Sequence, residues 1–427
     1  MTRQALALVA LCSAPFVLYA NPNHNVNQIV GDRALGMAGA YAGISDDPAG
    51  MYYNPAGIAY SHSTNISANV NTLQALDITY QDALAGEFDY NRNSFQVLPN
   101  FFGVLQPLGG WMVGFSSSIV DSVQENQDQD FLPFGVIERF ILNTSKVDTI
   151  YNIGPTVATK LIDELSIGLS LHFHYRRAEL ISNQHLIYSA EQTENLDMRW
   201  VNFYSKLSEQ GIRPKLGIQW SPAANWSIGL VVDKTFLVAA SETQQKAHCV
   251  TNNSTVGCLD FPDVDQNPDD RQDPEITEYQ GTRTYPWQVR TGIAWFPTSA
   301  LLVSADAIYN SATAASEETG YAGREQTLDG AVGLEWYWSP QWAVRGGAYT
   351  AFASTPEVIT GQTGQEGHID IYGLTTSITR FNKGSAISLG LIGNYGSGSS
   401  QIVADSTAIQ ETTILGMTAF FTTSYRY

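Results

Sequence analysis

Apolar and polar residues alternate one for one along much of this chain. Over 166–176, Ile167, Leu169, Leu171, Phe173 and Tyr175 fall on one face, and Ser166, Gly168, Ser170, His172, His174 and Arg176 on the other. Trp226, Ile228, Leu230 and Val232 oppose Ser227, Gly229 and Asp233. Farther on, Val332, Leu334, Trp336 and Trp338 oppose Asp329, Ala331, Gly333 and Glu335. A period of two is the signature of a strand with two different faces. Short turn sequences at 106–110, 160–165, 221–225, 296–300, 339–341 and 381–385 each separate two such segments. They predict six tight hairpins and twelve strands. One strand before them (63–80) and one after (412–427) bring the expected count to fourteen. An even count brings both termini to one side of a closed antiparallel barrel. Short turns on one side and long polar loops on the other are the bacterial outer-membrane pattern. The long loops are expected at about 122–147, 177–210 and 237–284.

Composition decides which medium the faces meet. Only 15% of residues are charged, against ~25% in soluble domains. Aromatics reach 11%. Beyond the first twenty residues no run reaches the ~18 apolar residues of a membrane helix. A barrel with apolar side chains on lipid and small polar ones inside gives this intermediate hydropathy. Trp111, Trp226, Trp295, Trp338 and Trp342 sit beside the short turns, where an interfacial belt belongs. Leu415, Met417, Ala419, Phe421, Thr423, Tyr425 and Tyr427 share one face of the last strand, and such an aromatic ending fits a signal for barrel-assembly machinery. Residues 1–20 carry Arg3, an apolar stretch and Ala20, and read as a signal peptide. The mature chain keeps Cys249 and Cys258, expected to form a disulfide.

The stretch 31–57, GDRALGMAGAYAGISDDPAGMYYNPAG, is too rich in Gly, Ala and Asp for a membrane strand or an amphipathic helix. It reads as a compact plug, with glycines for tight turns and close packing, and the plug domain is expected over 21–61, ahead of a barrel over 62–427. The segment resembles the N-terminal hatch of the FadL/TodX-like (OMPP1) outer-membrane transporters, which carry R-A-x-G-x-G-G-A, D-D and N-P-A here. Leu98-Pro99-Asn100-Phe101, taken as leading into strand two, resembles their V-P-x-F. The resemblance implies a bacterial outer-membrane barrel taking up hydrophobic small molecules passively, such as long-chain fatty acids or hydrocarbons. Loop capture, hatch movement and lateral release would follow one another. The alternative it leaves open is a surface shuttle or anchor in secretion or envelope assembly. Asn54, Pro55 and Ala56 would form a turn near the wall, with Asp46 and Asp47 in the plug.

In the second outer loop Phe131, Phe134, Ile137, Phe140 and Ile141 fit a helical stripe. In the third, Leu196, Trp200, Phe203 and Leu207 recur at spacings of four, three and four. By the resemblance, Phe131, Phe134, Phe140, Leu196, Trp200 and Phe203 are the candidate capture residues. The competing expectation is that the stripes only pack on each other.

Charge adds three features. Asp233, Arg290, Asp306, Glu335 and Arg345 fall on inward faces of successive strands and suggest a salt-bridge ladder bracing the wall. His172, His174 and Arg176 form a second inward cluster without a clear third metal ligand. An acidic loop with Asp263, Asp265, Asn267 and Asp269 has oxygens at alternate positions, suited to weak calcium binding at the surface. Pro268 and the missing Glu exclude an EF-hand. The net charge of −19 argues against nucleic acid, and no motif of an enzyme is present. No cofactor is expected. The partners expected are apolar small molecules, outer-membrane lipid, lipopolysaccharide and barrel-assembly machinery, with the protein a monomer. Small residues at 114–118 are the candidate site for a wall opening.

Overall fold

A computed structural model describes residues 24–25, 28–61, 64–84, 88–131, 133, 137–189, 198–252, 255–259, 275–280, 283–315, 321–402 and 407–426. The expected signal peptide, Phe134, Leu196 and the acidic-loop residues Asp263, Asp265, Asn267 and Asp269 lie outside the described residues.

Fourteen antiparallel strands form one closed sheet. In chain order they are β1 (Asn65–Leu84), β2 (Phe88–Leu98 continued by Phe101–Leu108), β3 (Trp111–Phe131), β4 (Ile137–Ile162), β5 (Leu165–Tyr188) and β6 (Met198–Ala223). There follow β7 (Trp226–Lys234 continued by Phe236–Asn252), β8 (Glu275–Gln280 continued by Trp287–Thr298), β9 (Leu301–Asn310) and β10 (Thr327–Ser339). The last four are β11 (Trp342–Ala351), β12 (His368–Phe381), β13 (Ser385–Ser400) and β14 (Gln410–Arg426). Pairing of β1 with β14, from Asn65 opposite Arg426 to Tyr80 opposite Thr412, closes the barrel. All six expected tight turns join neighbouring strands.

The alternation is borne out in burial. On β5, Leu169, Leu171 and Phe173 are each nearly half exposed, while Ser170, His172, His174 and Arg176 are buried. The outward apolar row meets lipid and the inward row the lumen. Trp226 stacks on Trp295 at 5.7 Å and Trp338 on Trp342 at 5.9 Å, forming the belt beside the short turns. On β14, Leu415, Met417, Phe421 and Tyr425 face outward.

The tall side of the barrel differs from expectation. Strands of 26 residues, β4 and β6, run through most of the segments assigned to loops. The two helical stripes are strands. Spacings of three and four fit a helix, but in a tall wall both faces of a strand carry apolar residues, and such spacings then mix them. Trp200 accordingly faces away from Val201, Phe203 and Leu207, which alternate inward. A short strand (Thr255–Leu259) folds back on the end of β7 with Leu259 opposite Val250, which places positions 249 and 258 on adjacent strands.

Candidate functional site

Residues 28–61 fold against the inner wall as short pieces: α1 (Asp32–Gly36), α2 (Gly50–Tyr53) and a 3₁₀ turn (Pro55–Tyr60). Asn54 is fully buried. Its Oδ1 accepts from the Ala56 amide at 3.1 Å, and its Nδ2 donates to Ala42 O at 2.8 Å and to Ile218 O of β6 at 3.1 Å. Pro55 opens the turn, where its missing N–H has no partner to lose. Ser166 of β5 donates to Ala56 O at 2.8 Å. The expected Asn54-Pro55-Ala56 wall contact is therefore present in the geometry.

Close approach is built into the wall. A Cβ at Gly229 would lie 1.9 Å from Ala42 O, and one at Gly217 2.2 Å from Asn54 Oδ1. Only glycine lets the wall approach the Ala42 backbone and the Asn54 side chain this closely.

Ionic clamps reinforce the seat. The amides of Tyr41 and Ala42 donate to Asp306 Oδ2 at 3.1 and 3.0 Å, and Arg290 bonds Gly39 O at 3.1 Å and Asp306 at 3.3 Å. Arg33 of α1 donates to Glu335 Oε2 through Nε (2.9 Å) and Nη2 (2.6 Å), and to Asp46 at 2.8 Å. Arg345 takes the other Glu335 oxygen at 2.8 Å and lies 3.6 Å from Asp32. The inward charges thus brace the wall and bind the hatch at once. Asp233 departs from the expected ladder and pairs with Arg213 (2.6 Å) and Lys215 (3.0 Å) of β6. Arg176 pairs with Asp148 at 2.7 Å. His172 meets Ser116 at 3.2 Å and His174 meets Asn152 at 3.2 Å, and no metal-holding group is found among the described residues.

Asp47 is the pH-sensitive point of the hatch. Burial, helped by the Asp46 charge and opposed by Arg33, pushes its carboxyl up to about 6. An acid raised on packing weakens the packed state as pH climbs from ~4, where the unpacked acid ionises, to the raised value, and then has no further effect. Limited proteolysis of the hatch is expected to accelerate across that window. Asp47→Asn is expected to flatten the dependence, which cleavage rates against pH will show.

Above the hatch, residues 24–25 and 28–29, together the strap, are tied to two separate parts of the wall. His24 Nε2 lies 2.6 Å from Ile369 O on β12, and Asn25 donates to Thr327 of β10 at 3.3 Å. At its far end Gln28 N donates to Val120 O of β3 at 3.2 Å, and Asn100 of β2 donates to Ile29 O at 3.0 Å. A cavity of about 140 Å³ lies beside it, lined by Tyr53, His174, Arg176, Arg283 and Arg290 among others. On the wall from β11 through β12 and β14 to β1, the inward residues Ala351, Ile369, Ile371, Ile414, Leu76 and Ile78 form one apolar cluster. A lumen with one apolar wall and one wall of paired charges is the result.

The strap ends where the wall is weakest. The segment 114–118, expected to open, is fully laddered to both β2 and β4. The irregularity lies just above it. Pro99 and Asn100 interrupt the middle of β2 instead of leading into it, and β3 shifts register between Ile119 and Asp121. Proline supplies no ladder N–H, so pairing stops there. Below this point Phe101–Leu108 pairs with β3. Above it, side chains join the two strands: Gln96 to Ser122 O at 2.9 Å, Gln127 to Asn93 O and Gln129 to Asn91 O at 2.6 Å each, and Arg92 to Glu125. This is a seam stitched by side chains. Phe95 and Val97 flank it on the lipid side.

Four rings on four adjacent strands run across the top of the seam. Tyr80 of β1 stacks on Tyr90 of β2 (5.7 Å), Tyr90 meets Phe131 of β3 (5.9 Å), and Phe131 stacks on Phe140 of β4 (5.1 Å). Ile137, Leu142, Leu186, Tyr188 and Val201 complete an apolar cluster there. Of the candidate capture residues, the fold brings Phe131 and Phe140 together. Phe203 packs on Leu180, apart from them, and half-buried Trp200 faces the other way. Nothing in the sequence pattern marks Tyr80 and Tyr90, because neither belongs to an apolar run.

The sequence profile of the outer membrane protein transport protein family (OMPP1/FadL/TodX) matches residues 25–260. No curated protein matches the chain. Among solved structures, a FadL homologue of Pseudomonas aeruginosa is 13% identical with a TM-score of 0.60, covering 96% of this chain and 100% of that one. The toluene transporter TodX of P. putida is 13% identical with a TM-score of 0.63, covering 92% and 97%. The monoaromatic hydrocarbon channel CymD is 12% identical with a TM-score of 0.58, covering 96% and 99%. At such identities the structural likeness speaks for the fold.

Proposed function

The chain belongs to the OMPP1/FadL/TodX family of outer-membrane transport proteins, and from that membership we propose that it takes up long-chain fatty acids or hydrocarbons by capture at the aromatic cluster and release through the β2–β3 seam. The family transports hydrophobic small molecules and is not enzymatic. One observation carries the finer reading: the ring ladder Tyr80–Tyr90–Phe131–Phe140 spans the head of the seam that lacks a main-chain ladder. An apolar molecule leaves water against Tyr90 and Phe131, the two rings of the ladder that are still partly exposed, and covering their remaining apolar surface favours its capture. It then moves along the apolar wall of the lumen. The strap, held by a handful of bonds, yields before the clamped hatch does. The wall opens where only side chains close it, and the cargo enters the membrane beside Phe95 and Val97. Diffusion down a gradient supplies the drive. The outward aromatic ending of β14 fits recognition by barrel-assembly machinery.

Replacing Phe131 and Phe140 together by Asp tests the capture step. Uptake of oleate or toluene is expected to fall about tenfold or more, the equivalent of ~1.4 kcal/mol, with heat-modifiable gel migration of the barrel unchanged. Undiminished uptake in a folded double variant would remove the cluster from the route.

A further inference from the structure

On the side of the short turns, below the hatch, a cavity of about 570 Å³ opens between α1 and the ends of β12, β13 and β14. That volume lies within the range of small-molecule sites. It is far from the seam and separated from the lumen above by the clamped hatch, so it stands apart from the uptake route.

The charges that line it divide into two sets. Arg33, Arg345 and Asp32 are satisfied within the fold: Arg33 by Glu335 and Asp46, Arg345 by Glu335 and Asp32, and Asp32 also by the Thr422 hydroxyl. Asp47, Lys383 and Arg426 line the same cavity, and among the described residues none of them has an oppositely charged group within 4.0 Å. Lys383 and Arg426 are exposed at the lip and Asp47 sits deeper, on the hatch. Tyr337 and Phe381 stack at 5.6 Å and form an apolar plate along one side.

Two cations at the lip without an ion pair, and inside them a carboxylate that accepts from the Ala49 amide at 2.8 Å but forms no ion pair, suit a ligand carrying both signs. A plain phosphate would satisfy the lip and face repulsion from Asp47. A plain amine would do the reverse. We propose that this cavity binds a phosphoethanolamine group, its phosphate held by Lys383 and Arg426, its ammonium donating to Asp47, and any attached chain lying against Tyr337 and Phe381. A primary ammonium offers three N–H donors to the carboxylate, which a trimethylated head lacks. The same group occurs free and as the head of a phospholipid in the adjoining leaflet.

The test uses the full-length barrel in bilayer nanodiscs of equal phosphatidylethanolamine, phosphatidylglycerol and phosphatidylcholine, followed by native mass spectrometry. One phosphatidylethanolamine adduct is expected, about fivefold over either other lipid, a difference of ~1 kcal/mol. Asp47→Asn should erase the preference over phosphatidylglycerol. The double variant Lys383→Glu, Arg426→Glu should remove the adduct. Equal retention of the three lipids, or an adduct that survives the double variant, overturns the proposal. A second readout follows thiol labelling of Asn382→Cys at the lip. Protection by millimolar O-phosphoethanolamine in phosphatidylcholine discs identifies the free group as a ligand. Protection only when phosphatidylethanolamine is in the disc identifies the lipid. Protection by neither overturns the assignment.

Discussion

Replacing Glu335 by Gln is expected to open this barrel to ions without unfolding it. The Glu335 carboxylate is fully buried between two guanidinium groups, Arg33 of the hatch and Arg345 of the wall. Neutralising it leaves both cations without their main partner. Breaking a buried pair in this way costs ~3–5 kcal/mol. Around Glu335 the wall has no loose element to yield, since β10 is laddered to β9 and β11 on its two sides, and β11 to β12. The hatch is the part that yields, because Arg33 is its tie to β10 and no ladder holds it. Conductance in planar bilayers is expected to rise about tenfold or more, while the heat-modifiable gel shift stays near its original temperature. Arg33→Ala should do less, because Arg345, Glu335 and Asp32 remain paired with one another. A variant of unchanged conductance and lowered thermal stability would show that Glu335 braces the wall and does not seat the hatch.

That result bears on what the sequence makes visible. The six hairpins were legible because turn chemistry is local: Pro107 with Gly109-Gly110, or Asn382 with Lys383-Gly384, punctuates alternation that is itself a property of a few residues. The inward faces of β5 and β10 followed from the same alternation. The clamp could be read only in part. Glu335 and Arg345 were seen as wall partners because they face each other on adjacent strands. Arg33 was not joined to them, because 302 residues separate it from Glu335 and no pattern reports such a contact. The aromatic cluster is legible in the sequence only in part. Phe131 and Phe140 were placed on a helix, and they meet because β3 and β4 pair them directly. Trp200 and Phe203 were grouped by the same spacing and fall on opposite faces. The seam had one visible sign, Pro99, which was read as the start of a strand because nothing local distinguishes a strand's beginning from a break in its middle.

Closing the seam covalently is expected to stop release while leaving capture intact. Gln96 and Ser122 face each other across it, their side chains and backbone linked at 2.9 and 3.4 Å. With both replaced by Cys, a short thiol-to-thiol reagent can tie β2 to β3 at the level where Phe95 and Val97 meet lipid. Below this point the ladder from Phe101 to Leu108 already holds the strands together. Above it, the remaining stitches are single side chains, each worth only ~0.5–1.5 kcal/mol net, more for the charged Arg92–Glu125 pair. Thermal motion therefore suffices to part them in the untied wall, and one covalent bond removes that freedom. Initial uptake of oleate or toluene is expected to drop about tenfold or more on crosslinking. The uncrosslinked double variant should transport near the original rate, and labelled ligand should still accumulate on the aromatic cluster of the tied protein. The strap gives the discriminating contrast. Its anchors on the wall, Val120 and Asn100, lie at the foot of the seam, so if cargo instead passed downward beside the hatch, tying β2 to β3 would leave the rate unchanged while Glu335→Gln raised it. Transport lost to the tie and unaffected by a loosened hatch places the exit in the wall.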